Sequence, residues 1–202
     1  LYVEDKYMEY SFFATASRMK YIERWALMRN TRPENLSEHC LEVSMIAHAL
    51  CIIGNVRYNK NYDADKTALI GLYHDASEII TGDMPTPIKY YNPGIKEAFK
   101  SIEDDANHKL LSMLPEDIRT AYEDIFFKKP EYADEWRLVK AADKLSALIK
   151  CIEEEKTGNR EFVKARESTE QSIKAMASDY PEVNDFINEF LPAYEKTLDE
   201  LG

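Results

Sequence analysis

No stretch of this 202-residue chain alternates apolar and polar side chains between turn formers, the pattern a half-buried β-strand needs. Apolar residues recur instead every three or four positions, as in SEHCLEVSMIAHALCII (residues 37–53), and only six glycines interrupt the whole chain. These patterns predict an all-α fold. A first helix is expected from about Asp5 to Trp25, broken by RNTRPEN through Pro33. Ser37 is placed to cap the next helix, which begins with His39 and ends at Gly54 and Asn55. KTALIGLYHDASEII, residues 66–80, reads as one mostly buried helix stopped by TGDMPTP. Further helices are expected over Gly94–Leu114, Pro115–Phe126, Glu131–Lys156, Arg160–Ala177 and Pro181–Leu201, with Pro115 and Pro181 at first-turn positions that tolerate proline. Without a repeat, low-complexity stretch or linker, the expectation is a single domain over residues 1–202, its helices from about residue 158 forming an extension.

Lys plus Arg number 26 against 37 Asp plus Glu, a net charge of −11, so the summed field repels a polyanion and a nucleic-acid polymer is not an expected partner. A mononucleotide stays open, because a metal and one or two arginines reverse the field locally. Cys40, Cys51 and Cys151 are odd in number and form no CxxC pair, which argues against a disulfide framework or a thiolate zinc site and fits a reducing, cytoplasmic setting. No run approaches the roughly 18 to 20 apolar residues of a membrane span, and the opening LYVEDKYMEY is too polar for a signal peptide. A soluble protein without a membrane partner is expected. The chain opens on Leu1, so a few residues are expected to precede it.

His74 and Asp75 follow the apolar run ALIGLY and precede Ala76, so the helix carries them into a poorly solvated place. A carboxylate there needs a cation, a hydrogen-bond network or a metal. Glu78 lies four residues after His74 and three after Asp75, so on a helix the three side chains share one side. His39, in NLSEHCLEV, and Asp143, in RLVKAADKLSALIKCI, also interrupt core-like patterns. Two imidazoles and two carboxylates form a mixed nitrogen and oxygen donor set suited to Mn, Fe, Co, Ni or Zn. Read singly, each residue has a plainer explanation. An isolated HD dipeptide is more often a cap or surface pair, Arg24 a partner of Glu23, Trp25 a core residue and Asp83 a turn former. His48, nine residues past His39, faces the other side of the helix, and His108 in EDDANHK reads as solvated, so one metal rather than two is expected. Cys40 beside His39 reads as core packing.

Taken together, His39, then His74-Asp75, then Asp143 resembles the H...HD...D signature of the HD-domain phosphohydrolases. The likeness narrows with the flanking segments IERWALMRNTRPENLSEHCLEVSMIAHAL, LYHDASEIITGDMPTPIKYYN and LVKAADKLSALIKCIEE, which are similar to the YfbR-type 5'-deoxynucleotidases from about Phe12 to Glu155. The resemblance implies an HD-domain helical bundle that pairs as a homodimer. It implies conversion of deoxyribonucleoside 5'-monophosphates to deoxynucleoside and orthophosphate, with one divalent transition metal per subunit, cobalt, manganese or similar. By the same resemblance, His39, His74, Asp75 and Asp143 hold the metal, and Arg24, Asp75 and Glu78 are catalytic. Arg24, Trp25, His39, Asp143 and the segment Asp83, Met84, Pro85, Thr86 then meet the substrate. Ala26 follows Trp25 where the family pattern leads one to expect proline, a departure that would loosen this loop.

Uncatalysed phosphate monoester hydrolysis calls for accelerations of up to about 10^21, more than any single hydrogen bond supplies. A metal that activates water and an arginine fork on the phosphate oxygens supply much of it, with Glu78 either protonating the departing 5'-oxygen or taking a proton from water. Two rivals stand beside this reading. One is an enzyme of the same fold acting on a triphosphate or an alarmone; the other is a nucleotide-binding protein in which the metal only staples helices.

Overall fold

The structure, a computed structural model, describes residues 9–89 and 91–202; Asp5 to Met8 of the expected first helix and the side chain of Thr86 lie outside the described residues. Among the described residues, β pairing is limited to one isolated bridge between Glu23 and Asn35. Helix α1 (Phe12–Ala16) passes into a 3-10 turn at Ser17–Tyr21 and stops short of Trp25. It stops because Ile22 turns extended and its carbonyl accepts the Leu36 N–H at 2.9 Å, closing the stem of a loop.

Helix α2 (Leu36–Tyr58) begins with a capping box: Asn35 Oδ1 accepts the Glu38 N–H at 3.1 Å, and the Glu38 carboxylate accepts the Asn35 N–H at 3.3 Å. Asn35 therefore replaces Ser37 as the cap. The helix also runs past the expected stop at Gly54 to Asn59, whose φ of 51° makes the left-handed cap. Gly54 serves packing instead, since a Cβ there would lie 2.6 Å from the Tyr62 ring. An 18-residue window of α2 has a mean hydropathy of 1.4, long and apolar enough to cross a membrane, contrary to the expectation that no run qualifies. Half of that window is buried inside the protein, where a core helix must be apolar.

Asp63 caps α3 (Ala64–Tyr73), accepting the Lys66 N–H at 2.9 Å. The expected single helix over 66–80 breaks at its functional residues. From Tyr73 onward the bonds tighten to three-residue spacing, Ala76 N–H to Tyr73 O and Glu78 N–H to Asp75 O, both at 2.9 Å. A short α4 (Glu78–Thr81) follows, ended by Gly82 at φ 73°, and then α5 (Thr86–Lys89).

Asn92 caps α6 (Pro93–Leu111), and Pro115 is the cap of α7 (Glu116–Phe126) rather than its first residue. Helices α8 (Ala133–Lys156) and α9 (Val163–Ala177) are each led in by a 3-10 turn. Helix α10 (Pro181–Glu189) ends well before the expected Leu201, because Pro192 has no N–H with which to continue it.

The largest core joins α2, α3, α8, α9 and α10 through Leu50, Ile70, Leu138, Leu145, Ile173 and Val183, all buried. Each such side chain contributes roughly 1.5 to 3 kcal/mol by leaving water. A second cluster packs Phe12 against Leu110, Leu114 and Phe126, and a third places Met19, Leu36 and Cys40 together.

Candidate metal centre and substrate loop

His39 sits in the first turn of α2 and is fully buried. Its Nδ1 lies 3.0 Å from Ser146 Oγ, and that hydroxyl donates to Glu42 Oε2 at 2.6 Å. A hydroxyl that gives its proton to a carboxylate must accept from the ring, so Nδ1 carries the hydrogen and Nε2 keeps a lone pair. The two helices interlock here: α2 supplies His39 and Glu42 one turn apart, and α8 supplies Asp143 and Ser146 one turn apart. His74, at the end of α3, has its Nδ1 2.8 Å from the Gly71 carbonyl, an acceptor only, which likewise leaves the Nε2 lone pair outward.

Four acceptors converge. His39 Nε2 lies 3.3 Å from Asp143 Oδ1 and 3.7 Å from Asp75 Oδ2, and His74 Nε2 lies 3.1 Å from Asp75 Oδ2. One ligand atom each from His39, His74 and Asp143 falls within 4.8 Å of the others. Both Nε2 atoms are buried without a hydrogen-bond partner, and leaving such groups orphaned costs about 1 to 3 kcal/mol each. Lone pair facing lone pair is repulsive unless a cation stands between them, so these residues fit a metal.

The local field is consistent with that fit. Burial opposes charge on His74, but Asp75 and then Cys40 outweigh it and hold the imidazole well above its ordinary value. Burial also works against ionised Asp75, yet His74 brings its carboxyl down to about 2. Asp143 is held well below the usual range despite burial, first by the adjacent His39 imidazole and then by Lys144. Burial, and then Arg24, lower His39. Without an ion, a proton on His74 Nε2 offsets the neighbouring carboxylates, and a divalent ion takes the place of that proton. Cys40 Sγ is 3.8 Å from His74 Nδ1, the nitrogen turned away from the acceptors, and burial pushes the thiol up, so it stays a packing residue.

The tight turn after Tyr73 puts Asp75 and Glu78 three residues apart on 3-10 spacing, which eclipses them. Glu78 is 6% exposed, and burial, then Asp75 and Asp83, push its carboxyl up to about 9. Asp83 is raised too, mainly by burial, while Arg24 and the Trp25 backbone N–H oppose the rise. Met84 and Pro85 are half-buried beyond it, and the Pro85 carbonyl accepts the Ile88 and Lys89 N–H groups at 2.9 and 3.1 Å, which starts α5. Those two residues serve the turn here and are not drawn into the donor cluster.

Arg24 and Trp25 stand on the loop between Ile22 and Asn35. Arg24 Nη1 donates to Glu34 Oε2 at 2.7 Å, and Arg24 Nη2 is 4.0 Å from Asp143 Oδ1. The Trp25 ring packs 5.4 Å from that of buried Phe162. Farther along, the Thr31 N–H and hydroxyl donate to Glu154 Oε2 at 2.9 and 2.6 Å, and Lys150 Nζ donates to the Arg32 carbonyl at 2.6 Å. Ser146, Glu42, Glu34 and Glu154 are residues that sequence reasoning missed. The three-residue spacing of Glu42 from His39 and of Ser146 from Asp143 was the available signal.

An all-helical frame with these acceptors at its centre is that of the HD-domain phosphohydrolases. The fold resembles the HD-domain phosphohydrolase of Listeria innocua at a TM-score of 0.79, with 21% identity, covering 91% of this chain and 88% of that one. It also resembles the cyanophage S-2L HD phosphohydrolase bound to dA and one catalytic Zn2+ ion, at a TM-score of 0.63 and 21% identity, over 91% of this chain and 96% of that one. More particularly, the YfbR-like 5'-deoxynucleotidase family matches residues 11–194, and the chain belongs to that family. It is 46% identical over 191 residues to a 5'-deoxynucleotidase of Erwinia tasmaniensis, covering 95% of this chain and 96% of the relative. It is 43% identical over 194 residues to one of Vibrio parahaemolyticus, covering 96% and 99%.

Proposed function

We propose that this chain hydrolyses deoxyribonucleoside 5'-monophosphates to deoxynucleoside and orthophosphate, with His39, His74, Asp75 and Asp143 holding one divalent transition metal. The observation that carries the reading is the convergence of four acceptors, two of them orphaned imidazole nitrogens, 4.0 Å from a buried guanidinium. The donor set suits cobalt or manganese, and equally zinc, the ion in the cyanophage neighbour. Such an ion supplies Lewis acidity, drawing a water toward ionisation and offsetting charge on the phosphate oxygens.

The chain's own groups do the rest. Arg24, fixed on one side by Glu34, presents its Nη2 side to a phosphate oxygen beside Asp143. Glu78, protonated at neutral pH, donates to the 5'-oxygen as it leaves. Trp25 and Asp83 wall the nucleoside side, with Met84, Pro85 and Thr86 as the further substrate contacts that the family resemblance implies. With the apolar face of Trp25 against the 2' carbon, a ribonucleotide's extra hydroxyl loses water without gaining a partner there and is penalised by desolvation.

The resemblance to a homodimeric family has a counterpart on α2. Leu41, Met45, Ile52 and Val56 are 54, 59, 43 and 75% exposed and fall within about 60° of one another around the helix. A second copy covering this stripe, in a cytoplasmic setting, completes the reading. Size-exclusion chromatography with light scattering tests it, a Val56→Glu monomer being expected.

The deciding experiment is orthophosphate release from dNMPs and NMPs by metal-stripped protein resupplied with Co, Mn, Mg or Zn. Metal-dependent release from dNMPs, weak with NMPs and cut about a hundredfold or more in Glu78→Gln, is expected. Release of pyrophosphate or triphosphate from other nucleotides, or no release at all, would sink it.

A further inference from the structure

We infer that Glu34 is a positioning residue that ties phosphate recognition to nucleoside recognition, holding Arg24 and Trp25 through one carboxylate oxygen. The inference rests on the proposed substrate roles of those two residues. Glu34 Oε2 accepts from Arg24 Nη1 at 2.7 Å and from the Trp25 indole N–H at 3.1 Å. The backbones are joined as well, the Arg24 N–H donating to the Glu34 carbonyl at 2.9 Å. Both charged side chains are nearly withdrawn from water, Arg24 at 12% and Glu34 at 13% exposure, so the contact is little screened.

Trp25 shows why a clamp is needed. Its φ of 58° lies in the left-handed region, which bulky side chains rarely adopt and which persists only where the surroundings fix it. Asn30 Nδ2 donates to the Trp25 carbonyl at 3.2 Å and so fixes the backbone end, while Glu34 fixes the indole end.

The geometry also defines what Glu34 prevents. The carboxylate next nearest to Arg24 is Asp143, a proposed metal ligand, at 4.0 Å. With Glu34 at 2.7 Å, the guanidinium has a closer partner outside the donor set and keeps its Nη2 edge free for phosphate. Without Glu34, Arg24 closes on Asp143 and the indole is released at the same time. Both halves of substrate binding then weaken together, while chemistry on bound substrate changes less, a signature in KM rather than kcat.

The test uses Glu34→Gln and Glu34→Asp in a Trp136→Phe background, where Trp25 is the sole remaining tryptophan of two. Acrylamide quenching of Trp25 emission in ligand-free protein is expected to rise in Glu34→Gln. KM for dNMPs is expected to rise about tenfold to a hundredfold with kcat nearly constant, and Glu34→Asp to lie between. Unchanged quenching, an unchanged KM, or a loss confined to kcat overturns the inference. If the parent protein releases no orthophosphate, the substrate reading fails by itself and quenching still decides the clamp. Circular dichroism checks folding, and should Glu34→Gln not fold, Glu34→Asp carries the same readouts.

Discussion

The proposed metal side of the site and its proposed substrate side are held by different means. His39 and Asp143 stand on α2 and α8, the two longest helices among the described residues, which are tied together by the His39–Ser146–Glu42 contacts and by the core beneath. Arg24 and Trp25 stand on a loop whose shape depends on side-chain carboxylates, Glu34 at its stem and Glu154 farther along. Regular helix fixes His39 and Asp143, while His74 and Asp75 are set by the tight turn that ends α3. The loop is latched by hydrogen bonds that are individually replaceable, which suits a part proposed to select the substrate.

Four measurements break or sharpen that contrast. The largest effect is expected for Asp75→Ala, which removes an acceptor shared by both histidines: turnover falls about 10^4-fold or more and bound metal, measured by elemental analysis, drops with it. Retained metal and activity would show that the helices, not the acceptors, make the centre. Next, Glu154→Ala leaves the buried Lys150 without its carboxylate partner and removes the acceptor of the Thr31 N–H and hydroxyl. It should cost about 3 to 5 kcal/mol in denaturant unfolding while the ligand-bearing helices keep their metal affinity once folded. A smaller effect is expected for Ser146→Ala, which frees the His39 ring to turn: metal affinity in a chelator competition falls about tenfold to a hundredfold with little change in melting temperature.

The mildest break is acid. Burial would raise Glu154, but bonds from Lys150, Thr31 and Asn159 outweigh it and hold the carboxyl well below its usual range. A carboxyl lowered by folding contributes stability that is complete above the unfolded value, near about 4.3, and is lost as pH falls below it, at most about 1.4 kcal/mol per pH unit. Unfolding titrations should lose stability below that pH in the native chain, and the loss should shrink in Glu154→Gln.

Helix class, and the residues that form the donor cluster, were legible because long apolar periods and buried ionisable residues leave marks in a single chain. What escaped was local competition. The HD segment read as continuous helix because its apolar pattern is unbroken, yet the chain tightens there to three-residue spacing and so brings Asp75 over Glu78. Ser37 looked like a cap until Asn35 and Glu38 closed a reciprocal pair. Gly54 looked like a stop until Tyr62 was found against it. Glu34 carried no sequence signal, since Arg24 lies 10 residues away, and the four-residue spacing of Glu154 from Lys150 gave no hint of its bond to Thr31, 123 residues away.

Gly71 deserves a last consequence. A Cβ on it would stand 3.0 Å from the Ser44 Cα, so the absence of one methyl group lets α3 rest against α2 and leaves the His39 and His74 rings 5.3 Å apart. Gly71→Ala would pry the helices apart, widen the bite, and move preference from small ions such as zinc toward larger ones such as manganese, readable as a reordered series of binding constants. Such a reordering would trace the choice of element partly to a residue outside the proposed ligand set.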